Sequence, residues 1–291
     1  MKTQLASFIL LIIVSCSNGV PDMGRKVGQG IDISPDGGSI VLSYSNNGAT
    51  GIYEYDLGKS TLIKLTTPVK GIHIRPKYSP DMNSILFLEY PDKNFEYCNL
   101  VVLNLKNKTS ESIIKGKKNL TDALFSRDGN SILFICAESI GKVPNGNDLY
   151  SVDRKTKKIQ QITHLNSYFF ADLVPVNDTM ILAQVHGMGS INLLTGKFKP
   201  IKVQNDTRSN VEGLFSPIDL KDSVLFYYAP YQIYCYNFKK KINKLMFEWP
   251  GHGHFYSIRL DSSKTKMVFT ESDKLYLFDF AKAVVKDLKI N

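Results

Sequence analysis

The sequence is poor in tryptophan, cysteine and histidine: its 291 residues contain one Trp, four Cys and five His. No Cys-x-x-Cys pair occurs, which argues against zinc-ribbon and thioredoxin-type sites. One cysteine lies in the N-terminal segment, and the other three are Cys98, Cys136 and Cys235. Because three is an odd number, no disulfide framework is expected, and these residues are predicted to be small core residues.

The motifs of common enzyme classes are also missing. The chain contains no G-x-S-x-G nucleophile elbow, no P-loop, no dinucleotide fingerprint and no H-E-x-x-H zinc motif. Its acidic residues are scattered, so no acid and base pair can be assigned. A non-catalytic role is therefore favoured, and no cofactor is predicted apart from the divalent metal considered below.

Long hydrophobic runs are absent after the N-terminus. Lys2 precedes an apolar stretch from Leu5 to Val14, which is too short to span a bilayer and has the length of a signal-peptide core. It ends in Ile13-Val14-Ser15-Cys16, which resembles a bacterial lipobox. Residues 1–15 are therefore predicted to be a lipoprotein signal peptide, with Cys16 as the lipidated residue. An ordinary secretory signal with an incidental cysteine is the alternative.

The residues after the lipobox predict where the protein is held. Residues 16–29 are polar and contain several glycines, which is typical of a flexible tether. A triacylated Cys16 would give stable membrane anchoring. Ser17 favours the bacterial outer membrane, and the lack of an acidic run after Cys16 favours its periplasmic side over the cell surface.

The chain does have an internal repeat of roughly 45 residues, marked by a turn of Ser-Pro-Asp-Gly type. The copies begin 45, 47, 48, 42 and 44 residues apart. They are Ser34-Pro35-Asp36-Gly37, Ser79-Pro80-Asp81, Ser126-Arg127-Asp128-Gly129, Val174-Pro175-Val176-Asn177-Asp178, Ser216-Pro217-Ile218-Asp219 and Leu260-Asp261-Ser262-Ser263. Pro presets the turn angle, Asp bonds the local backbone and Gly tolerates positive φ.

Each repeat contains four short apolar or alternating segments that read as β-strands. This predicts an all-β fold, a six-bladed β-propeller of four-stranded antiparallel blades over residues 30–291. The chain is expected to be monomeric, and no strand exchange is expected to close the ring. The predicted blades are about 30–67, 70–117, 119–165, 168–204, 210–249 and 254–291.

The Ser-Pro-Asp-Gly turn followed by a hydrophobic strand resembles the TolB-type propeller repeat of bacterial envelope proteins. The first three copies match it well, and the resemblance covers about residues 30–291. It implies a propeller in the cell envelope. Oligogalacturonate lyases are propeller enzymes that resemble this repeat family and use a His-rich metal site. That resemblance implies an alternative, a metal-assisted polysaccharide lyase or hydrolase, with His73, His186, His252 and His254 as candidate metal ligands.

The net charge is +9, and the lysines crowd the predicted turns between third and fourth strands. These turns lie at one end of a propeller, so a basic face is expected, which would attract anionic lipid headgroups, lipopolysaccharide or an acidic partner. Solvated lysines on exposed hairpins are the alternative. Nucleic acid is not expected, since these turns lack interleaved aromatic residues. The clearest members are Lys155, Lys157, Lys158, Lys239, Lys240 and Lys241.

The opposite end gathers histidines and aromatic residues on the other loops, where binding residues usually lie. Arg75 and Arg259 lie on predicted first strands and are expected to point into the central channel. There they would bind a carboxylate or phosphate, or alternatively pair with the turn aspartates. The candidate ligand- or partner-binding residues are His73, Arg75, Tyr168, His186, Trp249, His252, His254 and Arg259.

The sequence thus favours a lipid-anchored envelope protein that binds or scaffolds, and presents a propeller face to a protein or glycan partner.

Overall fold

The computed structural model describes residues 27–92, 95, 97–140, 143–185, 187–203, 215–229, 231–250 and 255–290. In this part of the chain the named secondary-structure elements are all β-strands, and no helix is long and apolar enough to cross a membrane. The predicted signal peptide and Cys16 lie outside the described residues, as do His186, His252 and His254, so those assignments stay predictions.

The chain forms 24 strands. They are β1 (Val27–Ile33), β2 (Ser39–Asn46), β3 (Ala49–Asp56), β4 (Thr61–Lys64), β5 (Ile72–Tyr78), β6 (Ser84–Tyr90), β7 (Cys98–Asn104), β8 (Ser110–Lys117), β9 (Leu120–Phe125), β10 (Ser131–Ile140), β11 (Val143–Asp153), β12 (Ile159–Gln161), β13 (Ala171–Asn177), β14 (Met180–Val185), β15 (Gly187–Asn192), β16 (Phe198–Pro200), β17 (Ser216–Lys221), β18 (Val224–Ala229), β19 (Gln232–Asn237), β20 (Ile242–Glu248), β21 (Phe255–Leu260), β22 (Lys266–Glu271), β23 (Lys274–Asp279) and β24 (Val284–Leu288).

Every four consecutive strands form an antiparallel unit in which each strand pairs with the next. The units β9–β12, β13–β16, β17–β20 and β21–β24 are separate four-stranded sheets, whereas β1–β8 form one eight-stranded sheet. This differs from the predicted six separate sheets. The first two units are joined by one parallel pair, Thr50↔Ile72. The cause is the connection after β4. Ile52 N donates a hydrogen bond to Thr66 Oγ1 at 2.9 Å, which holds this connection against β3 and brings Ile72 beside Thr50.

The Ser-Pro-Asp turns between first and second strands are held by their own side chains. Ser79 Oγ donates to Asp81 Oδ1 at 2.6 Å and accepts Ser84 N at 2.9 Å. Ser126 makes the same two kinds of bond in the next unit. In the last unit the Asp261 carboxylate replaces the serine and accepts the Lys266 amide at 2.9 Å.

Two of the predicted turn copies are wrong in position. Ser216-Pro217-Ile218-Asp219 lies within β17, and the chain turns instead at Asp222 and Ser223, whose φ angles are 49° and 65°. Such paired positive angles suit a two-residue hairpin. Val174 to Asn177 likewise belongs to β13, and the turn follows at Asp178 and Thr179.

Two strands extend into connecting segments of the chain. In the third unit β10 extends to Ile140 and β11 begins at Val143. At the N-terminus, β1 starts at Val27 inside the predicted tether 16–29. The reason is apolar burial, because Val27 is 2% exposed and packs in a cluster with Leu275 and Leu288.

All six hairpins between third and fourth strands use one device. An Asp or Asn side chain at the end of the third strand accepts backbone amides two or three residues later, at 2.7–3.1 Å. These residues are Asp56, Asn104, Asp153, Asn192, Asn237 and Asp279.

Apolar clusters fill the spaces between consecutive units. Among the described residues, one cluster lies at each junction, and one of them joins the last unit to the first. In that cluster Leu275 and Leu288 of the last unit pack with Ile31 and Leu42 of the first. The first strands are neighbours in chain order, and β21 neighbours β1. The ring therefore closes by side-chain packing rather than by strand exchange within the described part of the chain.

Candidate functional site

The first strands β1, β5, β9, β13, β17 and β21 surround the central channel, and each has an irregularity in its pairing with the second strand. Arg75 and Asp172 adopt left-handed angles there, each with φ of 54°, and Gly30 has φ of 95°. Bulges of this kind change the direction in which side chains point. In this protein the bulges lie next to the charged residues of the first strands.

Five charged residues from four of these strands form what we term the channel cluster: Asp32, Arg75, Lys77, Asp122 and Arg259. Arg75 Nη1 lies 4.0 Å from Asp122 Oδ1, and Arg259 Nε lies 3.8 Å from Asp32 Oδ1. Both separations exceed hydrogen-bonding distance. Each arginine therefore lies near a carboxylate but makes no hydrogen bond to it.

The two carboxylates of the cluster also connect neighbouring first strands. Asp32 Oδ2 on β1 accepts Tyr78 N on β5 at 2.9 Å, and Asp122 Oδ2 on β9 accepts Leu173 N on β13 at 3.4 Å. These bonds from backbone amides hold the two aspartate side chains in fixed positions within the cluster.

Lys77 is the most deeply buried cation of the cluster, with 7% of its surface exposed. Burial is the main cause that lowers the pKa of its ammonium to about 8, and Arg259 and Arg75 lower it further while Asp32 and Asp122 raise it. Among the described residues, no hydrogen bond or ion pair within 4.0 Å engages its Nζ.

Sequence reasoning identified Arg75 and Arg259 but missed Asp32, Lys77 and Asp122. The arginines pair with aspartates, as the alternative interpretation anticipated, but these are first-strand aspartates rather than those of the turns. The signal was present in the charges that interrupt the apolar first strands at Asp32 and Lys77. Nothing in one sequence shows that they converge.

His73 lies in the packed interior beside β3. Its Nδ1 is 2.7 Å from Thr66 Oγ1, and its Nε2 is 3.4 Å from a carboxylate oxygen of Glu89. Burial, the largest cause, lowers the pKa of this imidazole, while Glu89 acts in the opposite direction. Both ring nitrogens are thus engaged, and a metal at His73 would have to displace one of these contacts. No group of three potential metal ligands forms among the described residues.

Trp249 and Tyr168 occupy different surroundings. Trp249 packs against Phe269 and Tyr276, with ring centroids 5.3 and 4.8 Å apart, so most of its ring serves the junction between the last two units. Tyr168 lies in the connection before β13 and is 89% exposed. Of these two predicted binding residues, only Tyr168 is widely accessible.

Four exposed tyrosines share one end of the propeller. Loops between second and third strands and connections between units lie at that end, because the strands alternate in direction. Tyr97 and Tyr231 lie in loops of the first kind, and Tyr168 and Tyr256 lie in or next to connections. Their exposed fractions are 39%, 38%, 89% and 46%, in that order. We term this end the tyrosine face.

The predicted basic residues lie at the opposite end. Lys155, Lys158 and Lys239 to Lys241 are exposed, and all belong to hairpins between third and fourth strands. Lys157 differs, since its Nζ pairs with Glu111 Oε1 of the preceding unit at 2.6 Å. The hairpin lysines are therefore mostly, but not entirely, available to a partner.

No family model and no curated protein matches the chain. Solved structures do. TolB from Acinetobacter baumannii superimposes with a TM-score of 0.63 and 12% identity, covering 91% of this chain and 64% of TolB. An oligogalacturonate lyase in complex with manganese gives a TM-score of 0.59 and 18% identity, covering 91% of this chain and 81% of the lyase.

A third similar structure is the β-propeller domain of the Trilobed protease from Pyrococcus furiosus, described as having an open velcro topology. Its TM-score is 0.55 with 15% identity, and the match covers 90% of this chain and 83% of that one. Identities this low establish the fold alone. The chain is an all-β propeller with four-stranded antiparallel blades, and TolB is among its structural neighbours.

Proposed function

We propose that the chain is a lipid-anchored binding or scaffold protein of the bacterial envelope. Cys16 would tether it to the outer membrane on the periplasmic side, and the tyrosine face would bind an envelope protein or glycan. The proposed propeller has six blades and acts as a monomer.

The exposed tyrosines are the observation that carries this proposal. Tyrosine offers a large rigid contact surface at low entropic cost, and it is enriched where proteins bind partners. Four such residues at one end give a surface suited to recognition.

The six-blade count rests on two features. The first strands of the units β1–β4 to β21–β24 follow one another around a ring that returns to β1, and an apolar cluster lies at each junction. We therefore count the eight-stranded sheet as two blades that share one backbone pair.

The test is an affinity pull-down of tagged, lipidated protein from crosslinked native envelopes, with Tyr168→Ala as the variant. We expect a partner recovered near stoichiometry with the native chain and at least roughly tenfold less with Tyr168→Ala, as for a binding hot spot.

The matched control is Leu194→Ala, which removes a side chain that is 79% exposed at the opposite end. It should leave recovery unchanged, and Cys16→Ala should change the localisation of the protein. Equal losses for Tyr168→Ala and Leu194→Ala would contradict binding at the tyrosine face.

The alternative function is a metal-assisted polysaccharide lyase or hydrolase. The observation that favours it is the likeness to the manganese-bound lyase, which extends over 91% of this chain. Its candidate ligands are His73, whose ring nitrogens contact Thr66 and Glu89, together with His186, His252 and His254. A stoichiometric metal that is lost in His186→Ala or His254→Ala would favour this function, whereas partner binding that survives chelators would favour the scaffold.

A further inference from the structure

The channel cluster carries an imbalance of charge. Three cations, Arg75, Lys77 and Arg259, face two carboxylates, Asp32 and Asp122, and below the pKa of Lys77 these five groups sum to +1. A further first-strand carboxylate, Asp172 on β13, lies outside this set and is hydrogen-bonded to Tyr228, on which Arg259 also acts. Uncompensated charge in a largely buried site is costly, and it is usually matched by a partner or by a bound ion.

The donors of this cluster are also incompletely used. Among the described residues, the Arg75 guanidinium makes no hydrogen bond, and that of Arg259 makes one, from Nη1 to Ile258 O at 2.7 Å. A guanidinium has five N–H donors and an ammonium has three. Most of the donors in the cluster thus remain for a ligand.

The contacts of Lys77 itself support the same conclusion. A lysine that is 93% buried would normally have a carboxylate within contact distance, but none lies within 4.0 Å of its Nζ in the described structure. The groups that face it come from β1 (Asp32), β5 (Arg75), β9 (Asp122) and β21 (Arg259), so it is directed between four first strands.

We propose that Arg75, Lys77 and Arg259 bind one carboxylate group within the central channel. A single negative charge brings the cluster to neutrality, whereas a phosphate dianion would reverse its charge. The planar carboxylate also suits bidentate contact with a guanidinium. The side chains of Arg75 and Arg259 are 30% and 20% exposed, so both remain accessible to a small ligand.

This inference goes beyond the proposed partner binding, because it assigns a ligand to the channel rather than to the tyrosine face. The carboxylate site and the partner-binding face can therefore be tested separately. A titration with small carboxylates needs no partner, and the pull-down uses residues outside the channel cluster.

The site should be sensitive to pH. A bound carboxylate stabilises the Lys77 ammonium and raises its pKa, so affinity is highest while Lys77 is charged. The free protein has a pKa of about 8 at Lys77. Affinity should therefore be constant below that pH and fall by up to about tenfold per unit above it, until the pKa of the complex is reached.

The experiment is calorimetric titration of the purified full chain in detergent at pH 7 and pH 9.5. The probes are glucuronate, as an acidic sugar, and N-acetylalanine, as a peptide carboxyl terminus. Phosphate and the uncharged N-acetylalaninamide are the comparisons. Saturable binding of either carboxylate that weakens roughly tenfold at the higher pH is expected.

Two variants separate binding from a structural role. Lys77→Met should abolish the pH dependence and weaken binding at least about tenfold, while the melting temperature stays unchanged or rises because a buried unpaired cation is removed. Lys155→Met, at an exposed hairpin, should change neither property. If Lys77→Met instead lowers the melting temperature and leaves affinity intact, Lys77 is structural and the proposal is overturned.

The probes also identify the source of the carboxylate. Binding of glucuronate alone would assign an acidic sugar, and binding of N-acetylalanine alone would assign a peptide terminus. Tighter binding of phosphate than of both carboxylates, or no saturable binding of any carboxylate, would overturn the proposal.

Discussion

Gly30 shows how much of the channel depends on one residue. Its φ of 95° is unfavourable for a residue with a side chain, and an added Cβ would lie 2.6 Å from the Arg75 Cα. The atom in the way is backbone, so a small rotamer change would not relieve the contact. Gly30 therefore lets β1 approach β5 closely and helps to set the position of Arg75.

We expect Gly30→Ala to destabilise the protein by about 2–4 kcal/mol, from the left-handed backbone and the displaced β5. Urea denaturation followed by circular dichroism would measure the loss. Gly48→Ala is the matched control, since its φ is 78° but an added Cβ meets nothing within 4 Å. It should cost about 1 kcal/mol, and equal losses for the two variants would show that the close approach to Arg75 is unimportant.

At the scale of the element, the Ser-Pro-Asp turn works as a hydrogen-bonded unit. The Ser79 hydroxyl is the largest cause that holds the pKa of Asp81 at about 2, and Asn83 adds to it. A lowered pKa means that the folded state favours the ionised carboxyl. The stability contributed by Asp81 is therefore present above its usual pKa and is lost as the pH falls through about 2.

Asp81→Asn should remove this pH dependence while its Oδ1 still accepts the same hydrogen bonds. At pH 6 we expect the free energy of unfolding of the native chain to exceed that of the variant by less than about 1 kcal/mol. The difference is small because Asp81 is exposed and solvent screens its interactions. The difference should vanish near pH 2 in urea denaturation. Asp128→Asn alters the equivalent turn and should behave in the same way, and a difference that is constant with pH would refute this explanation.

At the scale of the whole molecule, closure of the ring depends on the cluster between the last unit and the first. Leu288 lies close to the C-terminus, yet it is only 2% exposed and packs in the same cluster as Ile31 and Leu42. A residue near a chain end is ordinarily tolerant to change. Here burial predicts the opposite.

Leu288→Ala should cost about 2–5 kcal/mol, as for other buried leucines. Val284→Ala, in the same strand but 54% exposed, is the control and should change stability by less than about 0.5 kcal/mol. Thermal and urea unfolding would measure both. Similar small effects for the two variants would mean that the ring does not depend on this cluster for closure.

How far the sequence predicts the fold can be seen from particular strands. Ser84–Tyr90 was predicted as a strand and is β6, because its apolar run has the length and composition of a buried strand. Ser216-Pro217-Ile218-Asp219 was predicted as a turn but lies within β17, because the chain turns instead at Asp222 and Ser223, whose positive φ angles suit a two-residue hairpin. The local sequence pattern predicts the wrong turn position where an incomplete copy of the motif is followed by residues better suited to a turn.

The candidate site was less predictable than the fold. Arg75 and Arg259 were found because they are charges on first strands, but Trp249 proved to be mainly a packing residue. Lys77 was missed because a lysine beside a proline in a strand carries no sign of burial in the sequence. Its burial follows from the neighbouring first strands.

By itself the sequence determined the repeat, most of the strands and most of the turns, since these depend on residues close together in the chain. It also predicts the lipid anchor at Cys16. Only the tertiary structure decided that the first two units share a sheet, that the ring closes by apolar packing, and that Asp32, Lys77 and Arg259 face the same channel. Asp32 and Arg259 are separated by most of the chain, so their proximity depends on how the units stack around the ring, which short-range sequence patterns do not specify.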